Sequence, residues 1–185
     1  MDSGQSPFTM HQRVLEAIET ETRNARAGKP AAITAKMNAL LEPAVIEALY
    51  RASLAGVKVD LVVRGVCALR PGVAKLSENI RVRSIVGRFL EHTRIFRFAN
   101  GGKERVWLSS ADWMDRNFFR RIELAFPVED PKLARRIVRE GLKPYMDDNT
   151  QAWEMQPDGT YQRRKRGRGK KRCAQAELLA LLASP

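Results

Sequence analysis

The order strand, helix, strand between residues 31 and 63 is the feature that most constrains the fold of this chain. Residues 31–37 form a short apolar run, and residues 57–63 read VKVDLVV, which is apolar at its far end. Between them Pro43 begins an amphipathic helix that Gly56 ends. Two strands joined by a crossover helix lie parallel in one sheet. The pattern therefore predicts an α/β fold.

The rest of the chain continues with strand and helix patterns up to about residue 145. Asn100-Gly101-Gly102 separates two short β-patterned segments, which predicts a hairpin. The further predicted strands span residues 80–86, 94–98, 104–108 and 121–128, and the further helices span residues 8–28 and 131–145. We predict one α/β domain over residues 8–150, a mixed β-sheet with helices packed on it, preceded by a disordered segment 1–7.

Positive charge is concentrated near the end of the chain. The 185 residues carry a net charge of +12, and residues 162–172, QRRKRGRGKKR, contain eight basic residues and no acidic one. The remainder therefore carries only +4. We expect residues 151–185 to form a basic, largely irregular tail that ends in a short helix over CAQAELLALLA. The basic run is either a solvated tail or a contact for nucleic acid or another polyanion.

Several protein classes do not fit the sequence. No apolar run approaches the roughly 20 residues that a membrane-spanning helix needs. The segment MDSGQSPFTMHQ lacks the charged and apolar regions of a signal peptide. Cys67 and Cys173 stand far apart, in surroundings that predict neither a disulfide nor a zinc site. We expect a cytoplasmic protein with an anionic partner.

The placement of arginines suggests a phosphate site. Arg64 and Gly65 directly follow the apolar strand over 57–63. Ligands of open α/β sheets bind beyond the carboxyl ends of the strands, and a guanidinium there presents paired donors to phosphate oxygens. A surface ion pair with a nearby carboxylate is the alternative.

His92 is the second candidate. It lies in RFLEHTRIF just before a predicted strand, with Arg88 and Arg94 on either side. An imidazole can accept a phosphoryl group or act as a general acid, and the neighbouring guanidiniums can hold phosphate. A purely structural histidine is the alternative.

A polar loop supplies the third group of candidates. The segment SSADWMDRNFFRRIE lies between two predicted strands and is rich in hydroxyl, amide and guanidinium groups. Such groups could orient a histidine and close over phosphates. A turn stabilised by its own Ser and Asp side chains is the alternative. The candidates in this loop are Ser109, Ser110, Asp112, Arg116 and Asn117.

Taken together, these segments resemble the C-terminal part of the type 1 polyphosphate kinase family. The resemblance runs through ITAKMNALLEP, EALYRASLAGVKVDLVVRGVCALRPG, LSENIRVRSIVGRFLEHTRIFRFANGG and SSADWMDRNFFRRIE. It covers about residues 8–150 and continues weakly beyond them. It implies a phospholipase D-like fold, with this chain as the last of the family's two C-terminal domains.

The resemblance also implies an activity and roles for particular residues. The family transfers the terminal phosphate of ATP reversibly to polyphosphate, with Mg²⁺, through a phosphorylated histidine in the preceding domain. His92 matches the second histidine, which assists from the opposite side. Arg64 matches an arginine that contacts the ATP phosphates, and we expect Arg83 and Arg94 to bind phosphate as well. The phospholipase D pattern His-x-Lys is replaced here by His92-Thr93-Arg94, as in the kinases.

No counterpart of the phosphorylated histidine or of the Mg²⁺ ligands stands in this sequence. We therefore expect the isolated chain to be inactive without the missing upstream domains or another polyphosphate kinase chain. Two other functions stay open. One is a module that binds polyphosphate or nucleic acid without catalysis, and the other is a dimeric phospholipase D-like phosphodiesterase with two copies of His92 facing each other.

Overall fold

A computed structural model describes residues 4–5, 9–165 and 169–183. Within them the strands form one mixed sheet with the order β1-β7-β6-β5-β2-β3-β4-β8-β9. The strands are Gly4–Gln5 (β1), Ala32–Met37 (β2), Lys58–Val63 (β3), Ile80–Ile85 (β4), Arg94–Phe98 (β5), Arg105–Ser109 (β6), Leu124–Pro127 (β7), Ala152–Met155 (β8) and Tyr161–Arg163 (β9). The helices are Met10–Arg26 (α1), Pro43–Leu54 (α2), Asp115–Phe119 (α3), Pro131–Ile137 (α4), Lys143–Asp147 (α5) and Ala174–Ala183 (α6). A 3₁₀ turn at Asn100–Gly102 joins β5 to β6, and a π-helical stretch at Val138–Leu142 joins α4 to α5.

The predicted crossover unit is present. β2, β3 and β4 are parallel neighbours, and α2 connects the first two. The Glu42 carboxylate caps α2 by accepting from the Val45 backbone N–H at 2.7 Å. Gly56 follows the helix with φ of +92°, a conformation that glycine adopts at little cost. The predicted mixed sheet with helices packed on it is confirmed.

Alternate residues of the central strands pack against helices on the two faces of the sheet. α1 and α2 cover one face, where Val14 and Leu49 join Leu61 and Phe96 in the main core. On the other face Ile95 packs with Leu142 and the end of α4. Also on that face, a smaller cluster joins the strand residues Val62 and Ile85 to Tyr145 and Ala174 of α5 and α6. The sheet is therefore buried on both faces, as its parallel centre requires.

Part of the segment expected to be an irregular tail, from residue 151, forms two strands. The short helix expected at its end is α6. β8 pairs antiparallel with β4, and β9 pairs with β8. The turn between them contains Pro157-Asp158-Gly159, in which Gly159 has φ of +86°. These strands are short, so they depend on pairing with the sheet, and β8 adds Ala152 and Met155 to the apolar clusters. The domain thus extends past residue 150.

Several other segments differ from the predictions. Gly4–Gln5 form a short strand inside the segment expected to be disordered, and the other residues of 1–7 lie outside the described ranges. α3 occupies part of the expected loop at 109–117. The helix predicted over 131–145 is divided by its π-helical stretch. No helix in the described residues is long and apolar enough to cross a membrane.

Candidate functional site

The topology brings four chain segments together at one edge of the sheet. β2 and β3 end there, at Met37 and Val63, because they are parallel. β5 is antiparallel to β2 and therefore begins at this edge with Arg94, two residues after His92. β6 ends there at Ser109, which pairs with Arg94.

An open groove of about 660 Å³ lies at this edge beside His92. It contains seven of the nine predicted site residues: His92, Arg94, Ser109, Ser110, Asp112, Arg116 and Asn117. Arg121, which the sequence did not single out, also lines the groove. Arg116 and Arg121 are exposed to solvent, so their guanidiniums are accessible to an anion.

Arg94 is held by Asp112 and in turn contacts His92. Its Nε and Nη2 donate to the two Asp112 carboxylate oxygens, at 3.2 and 3.1 Å. Its Nη1 lies 3.0 Å from the His92 carbonyl oxygen and 3.1 Å from His92 Nδ1. A guanidinium can only donate, so Nδ1 is the acceptor and the proton of the neutral ring is assigned to Nε2. The arrangement leaves Nε2–H available to a ligand.

Asp112 connects this group to the end of β2. The carboxylate is buried, and its Oδ1 also accepts from the Asn38 backbone N–H at 2.6 Å. The Asn38 carbonyl accepts from the Gly65 N–H at 2.8 Å, and a Cβ on Gly65 would lie only 3.0 Å from that carbonyl oxygen. Glycine at this position therefore allows the ends of β2 and β3 to approach closely.

Arg64 lies at the carboxyl end of β3, as predicted, but does not line the His92 groove. Its backbone is fixed on both sides, because its N–H donates to Met37 and its carbonyl accepts from the Ser84 hydroxyl. Its Nε is buried and has no hydrogen-bond partner in the described part of the chain. A buried guanidinium donor without a partner is costly, which favours a ligand at this position.

The structure does not bring Arg83 into the groove. Arg83 is buried, its Nη1 donates to the backbone carbonyl of Met146, and its Nη2 lies 3.8 Å from Glu154. These contacts tie β4 to α5 and β8. A role of Arg83 in binding phosphate stays a prediction.

Ser110 and Asn117, in the wall of the groove, both contact Glu123. The Ser110 hydroxyl donates to Glu123 Oε2 and accepts from the Leu124 N–H, and Asn117 Nδ2 donates to Glu123 Oε1 at 2.6 Å. The Ser109 hydroxyl accepts from the Ala111 N–H at 3.0 Å, which is the local turn considered as the alternative. These residues shape the wall of the groove.

A buried ion pair missed by the sequence predictions lies behind His92. Lys36 is 2% exposed, and its Nζ donates to Glu91 at 2.7 Å and to Thr93 Oγ1 at 2.5 Å, beneath the Tyr145 ring at 3.7 Å. Burial lowers the pKa of Lys36. Burial opposes ionisation of Glu91, but hydrogen bonding and attraction to Lys36 outweigh it, so the pKa of Glu91 is lowered. A lysine inside the apolar run 31–37 was the available signal, because a buried lysine must be paired.

Comparison with known proteins relates the whole domain to one family. The family model for polyphosphate kinase C-terminal domain 2 matches residues 5–175. The polyphosphate kinases of Paraburkholderia phytofirmans and Burkholderia multivorans are 63% and 65% identical to this chain over 180 residues. That alignment covers 97% of this chain but 26% of each relative, so the chain spans about a quarter of their length.

Solved structures relate the chain to the same family. Polyphosphate kinase from Porphyromonas gingivalis matches 98% of this chain with a TM-score of 0.92 and 41% sequence identity, and the match covers 28% of that protein. Nuc from Salmonella typhimurium, a phospholipase D family member, matches 84% of this chain and 97% of its own with a TM-score of 0.60 and 19% identity, which shows a shared fold. This chain belongs to the polyphosphate kinase family and corresponds to its second C-terminal domain, with a phospholipase D-like fold.

Proposed function

We propose that this chain forms one side of the phosphoryl-transfer site of a polyphosphate kinase that moves the terminal phosphate of ATP reversibly to polyphosphate. The observation that carries the proposal is the contact of Arg94 with His92 Nδ1 at 3.1 Å. It leaves the His92 Nε2–H as a donor beside a groove lined by the exposed Arg116 and Arg121.

Each of these groups has a defined role in the proposal. Phosphoryl transfer depends mainly on positioning and on stabilising charge on the phosphate oxygens. His92 Nε2–H donates to an oxygen of the phosphate being transferred, while Arg116 and Arg121 bind oxygens of the nucleotide or of polyphosphate. Arg64 adds a third guanidinium at the end of β3. Asp112 holds Arg94, and Arg94 holds the His92 ring in place.

The phosphohistidine nucleophile comes from outside this chain in the proposal. The sequence contains two histidines, and His11 cannot serve at this site. Its ring contacts Phe118 and Phe119 edge to face, and its Nε2 lies 3.0 Å from Glu42. We therefore assign the nucleophile to another part of the polypeptide or to a second polyphosphate kinase chain.

The Mg²⁺ ligands also lie outside this chain in the proposal. Mg²⁺ prefers carboxylate and phosphate oxygens. Across residues 4–5, 9–165 and 169–183, no three His, Cys, Asp or Glu side chains lie close enough together to hold a metal ion. The described residues thus do not fit a metal site of their own, and Mg²⁺ would enter with ATP.

The first experiment measures polyphosphate synthesis from ATP and Mg²⁺. The purified chain alone should make none. Placed in the Paraburkholderia phytofirmans enzyme in exchange for the matching segment, it should support synthesis, and His92→Ala should lower the rate by about 10²–10⁴-fold. Robust synthesis by the isolated chain, lost on His92→Ala, would overturn the assignment of the nucleophile to another part of the protein.

A second experiment tests the role of Arg94 in the same exchanged enzyme. Arg94→Lys keeps the charge but loses the planar guanidinium whose three nitrogens donate to Asp112 and His92, so the rate should fall on the order of 100-fold. Arg97→Lys is the matched control, because Arg97 lies on the same strand and pairs with Glu104 away from the groove. Equal rates for the two variants would remove the positioning role of Arg94.

A second candidate function is binding of polyphosphate or nucleic acid without catalysis. A separate groove of about 470 Å³ is lined by Arg163, Arg164 and Lys171, which favours a polyanion there. Replacing Lys165, Lys170 and Lys171 by Ser should leave polyphosphate affinity nearly unchanged if the His92 groove is the binding site. Loss of all affinity would favour the binding module.

A further inference from the structure

The C-terminal helix contacts the loop that carries His92. Gln175, in the first turn of α6, is 7% exposed. Its Oε1 accepts from the Phe89 N–H at 2.9 Å, and its Nε2 donates to the Phe89 carbonyl at 2.8 Å. One amide side chain thus satisfies both backbone groups of Phe89, as a neighbouring β-strand would.

The loop is shaped to admit this side chain. A Cβ on Gly87 would lie 2.4 Å from Gln175 Oε1 and 2.9 Å from its Cδ. Any other residue at position 87 would displace the amide. The space at Gly87 is a second observation, independent of the hydrogen bonds, that ties the loop to α6.

The contact continues to the residues on both sides of His92. Gln175 Nε2 also donates to Glu91 Oε1 at 2.8 Å. The other Glu91 oxygen accepts from Lys36 Nζ at 2.7 Å, and the same Nζ reaches Thr93. Glu91 and Thr93 are therefore both fixed, while His92 between them stays exposed.

A hydrogen bond to Asp148, in the body of the domain, fixes the start of α6. Asp148 is fully buried, and its Oδ2 accepts from the Ala174 N–H at 2.8 Å. Its Oδ1 accepts from the Thr150 and Gln151 N–H groups. Asp148 thus joins the start of β8 to the start of α6. This connection places Gln175 of α6 against the loop that carries His92.

We propose that Gln175 is a positioning residue for His92, through its hydrogen bonds to Phe89 and Glu91. A segment more than 80 residues away in sequence then sets the orientation of the imidazole, since Gln175 and Phe89 are 86 positions apart. The consequence for catalysis rests on the proposed function, whereas the effect on the His92 ring does not.

The test is an NMR experiment on the full chain, which has two histidines and so gives two sets of imidazole signals. Gln175→Ala should shift the His92 ring signals and leave those of His11 in place. The Phe89 amide should exchange about tenfold faster, the loss expected for one hydrogen bond. Glu177→Ala, an exposed change on the same helix, should alter neither.

A second variant separates the two parts of the contact. Gln175→Glu keeps an acceptor for the Phe89 N–H but lacks the donors and places a second carboxylate beside Glu91. It should shift the His92 signals at least as far as Gln175→Ala does. No catalysis is needed for this readout, so it decides the inference even if the proposed function fails.

Two results would overturn the proposal. One is a His92 spectrum in Gln175→Ala that superimposes on that of the native chain. The other is an equal acceleration of exchange at Phe89 and at Leu61 in the buried strand β3, which would mean that Gln175 supports only the stability of the whole domain.

Discussion

At the scale of single residues, Lys36 and Glu91 show how the site is supported from behind. The Lys36 and Glu91 side chains are 3% and 11% exposed, so their charges have little water to solvate them. Each therefore depends on the other, and on Thr93 and Gln175, for its hydrogen bonds. The two partners are separated by 55 positions, and no local pattern could have paired them. The sequence could place the surface histidine but not this support.

Removing either Lys36 or Glu91 alone should destabilise the folded chain. Lys36→Met leaves the Glu91 carboxylate buried without its cation, so we expect a loss of about 3–5 kcal/mol in the free energy of unfolding. Urea denaturation measures it. Adding Glu91→Gln should recover part of the loss, because no unpaired charge then remains. A Lys36→Met chain as stable as the native one would contradict the pairing.

The same pair predicts a pH dependence. The pKa of Glu91 is lowered in the folded chain from its usual value of 4.5. The ionised carboxylate therefore contributes to the free energy of unfolding above pH 4.5, and this contribution is lost as the pH falls through the pKa of the folded chain. The difference in unfolding free energy between the native chain and Glu91→Gln should therefore shrink on acidification. A difference that stays constant from pH 6 to the acid limit of folding would contradict this sign.

At the scale of elements, the sequence predicted a helix or turn correctly where proline and glycine marked its ends. Pro43 and Gly56 bound the crossover helix, and Asn100-Gly101-Gly102 marked the β5–β6 connection. The hairpin of β8 and β9 was missed although Pro157-Asp158-Gly159 is a turn sequence, because its strands have four and three residues and depend on pairing with β4. All of the predicted site residues in the groove lie within two of the segments that carry the family resemblance. Arg121 lies in one of them too, but no pattern distinguished it from a surface arginine.

Gly159 should be essential to the β8–β9 turn. Its φ of +86° is unfavourable for a residue with a Cβ, and that Cβ would also meet the Arg70 guanidinium. Gly159→Ala should cost about 1–2 kcal/mol in unfolding free energy. Gly169→Ala is the control, because the space around its Cβ is open and its φ lies outside the left-handed region. Equal stability of the two variants in urea would show that the turn relaxes without cost.

At the scale of the whole molecule, the family and fold were predictable from consecutive motifs, but the end of the domain was not. Residues 152–163 extend the sheet and α6 closes the cluster around Val62 and Ile85, so the last part of the chain belongs to the folded body. The basic residues within it are not all free in solvent. Arg163 and Arg164 donate to the carbonyls of Thr150 and Asp148, and Arg172 pairs with Asp147.

This architecture predicts how shortened chains behave. A chain that ends at Thr150 loses β8, β9 and α6, which leaves β4 as an unpaired edge and exposes Val62, Ile85 and Tyr145. An exposed apolar edge favours aggregation, so this chain should unfold without a cooperative transition and self-associate. A chain that ends at Lys165 keeps the hairpin and should unfold cooperatively at lower urea, with its His92 loop released from Gln175. Urea titration with size-exclusion chromatography distinguishes them, and a monomeric chain 1–150 with native stability would restore the domain boundary at residue 150.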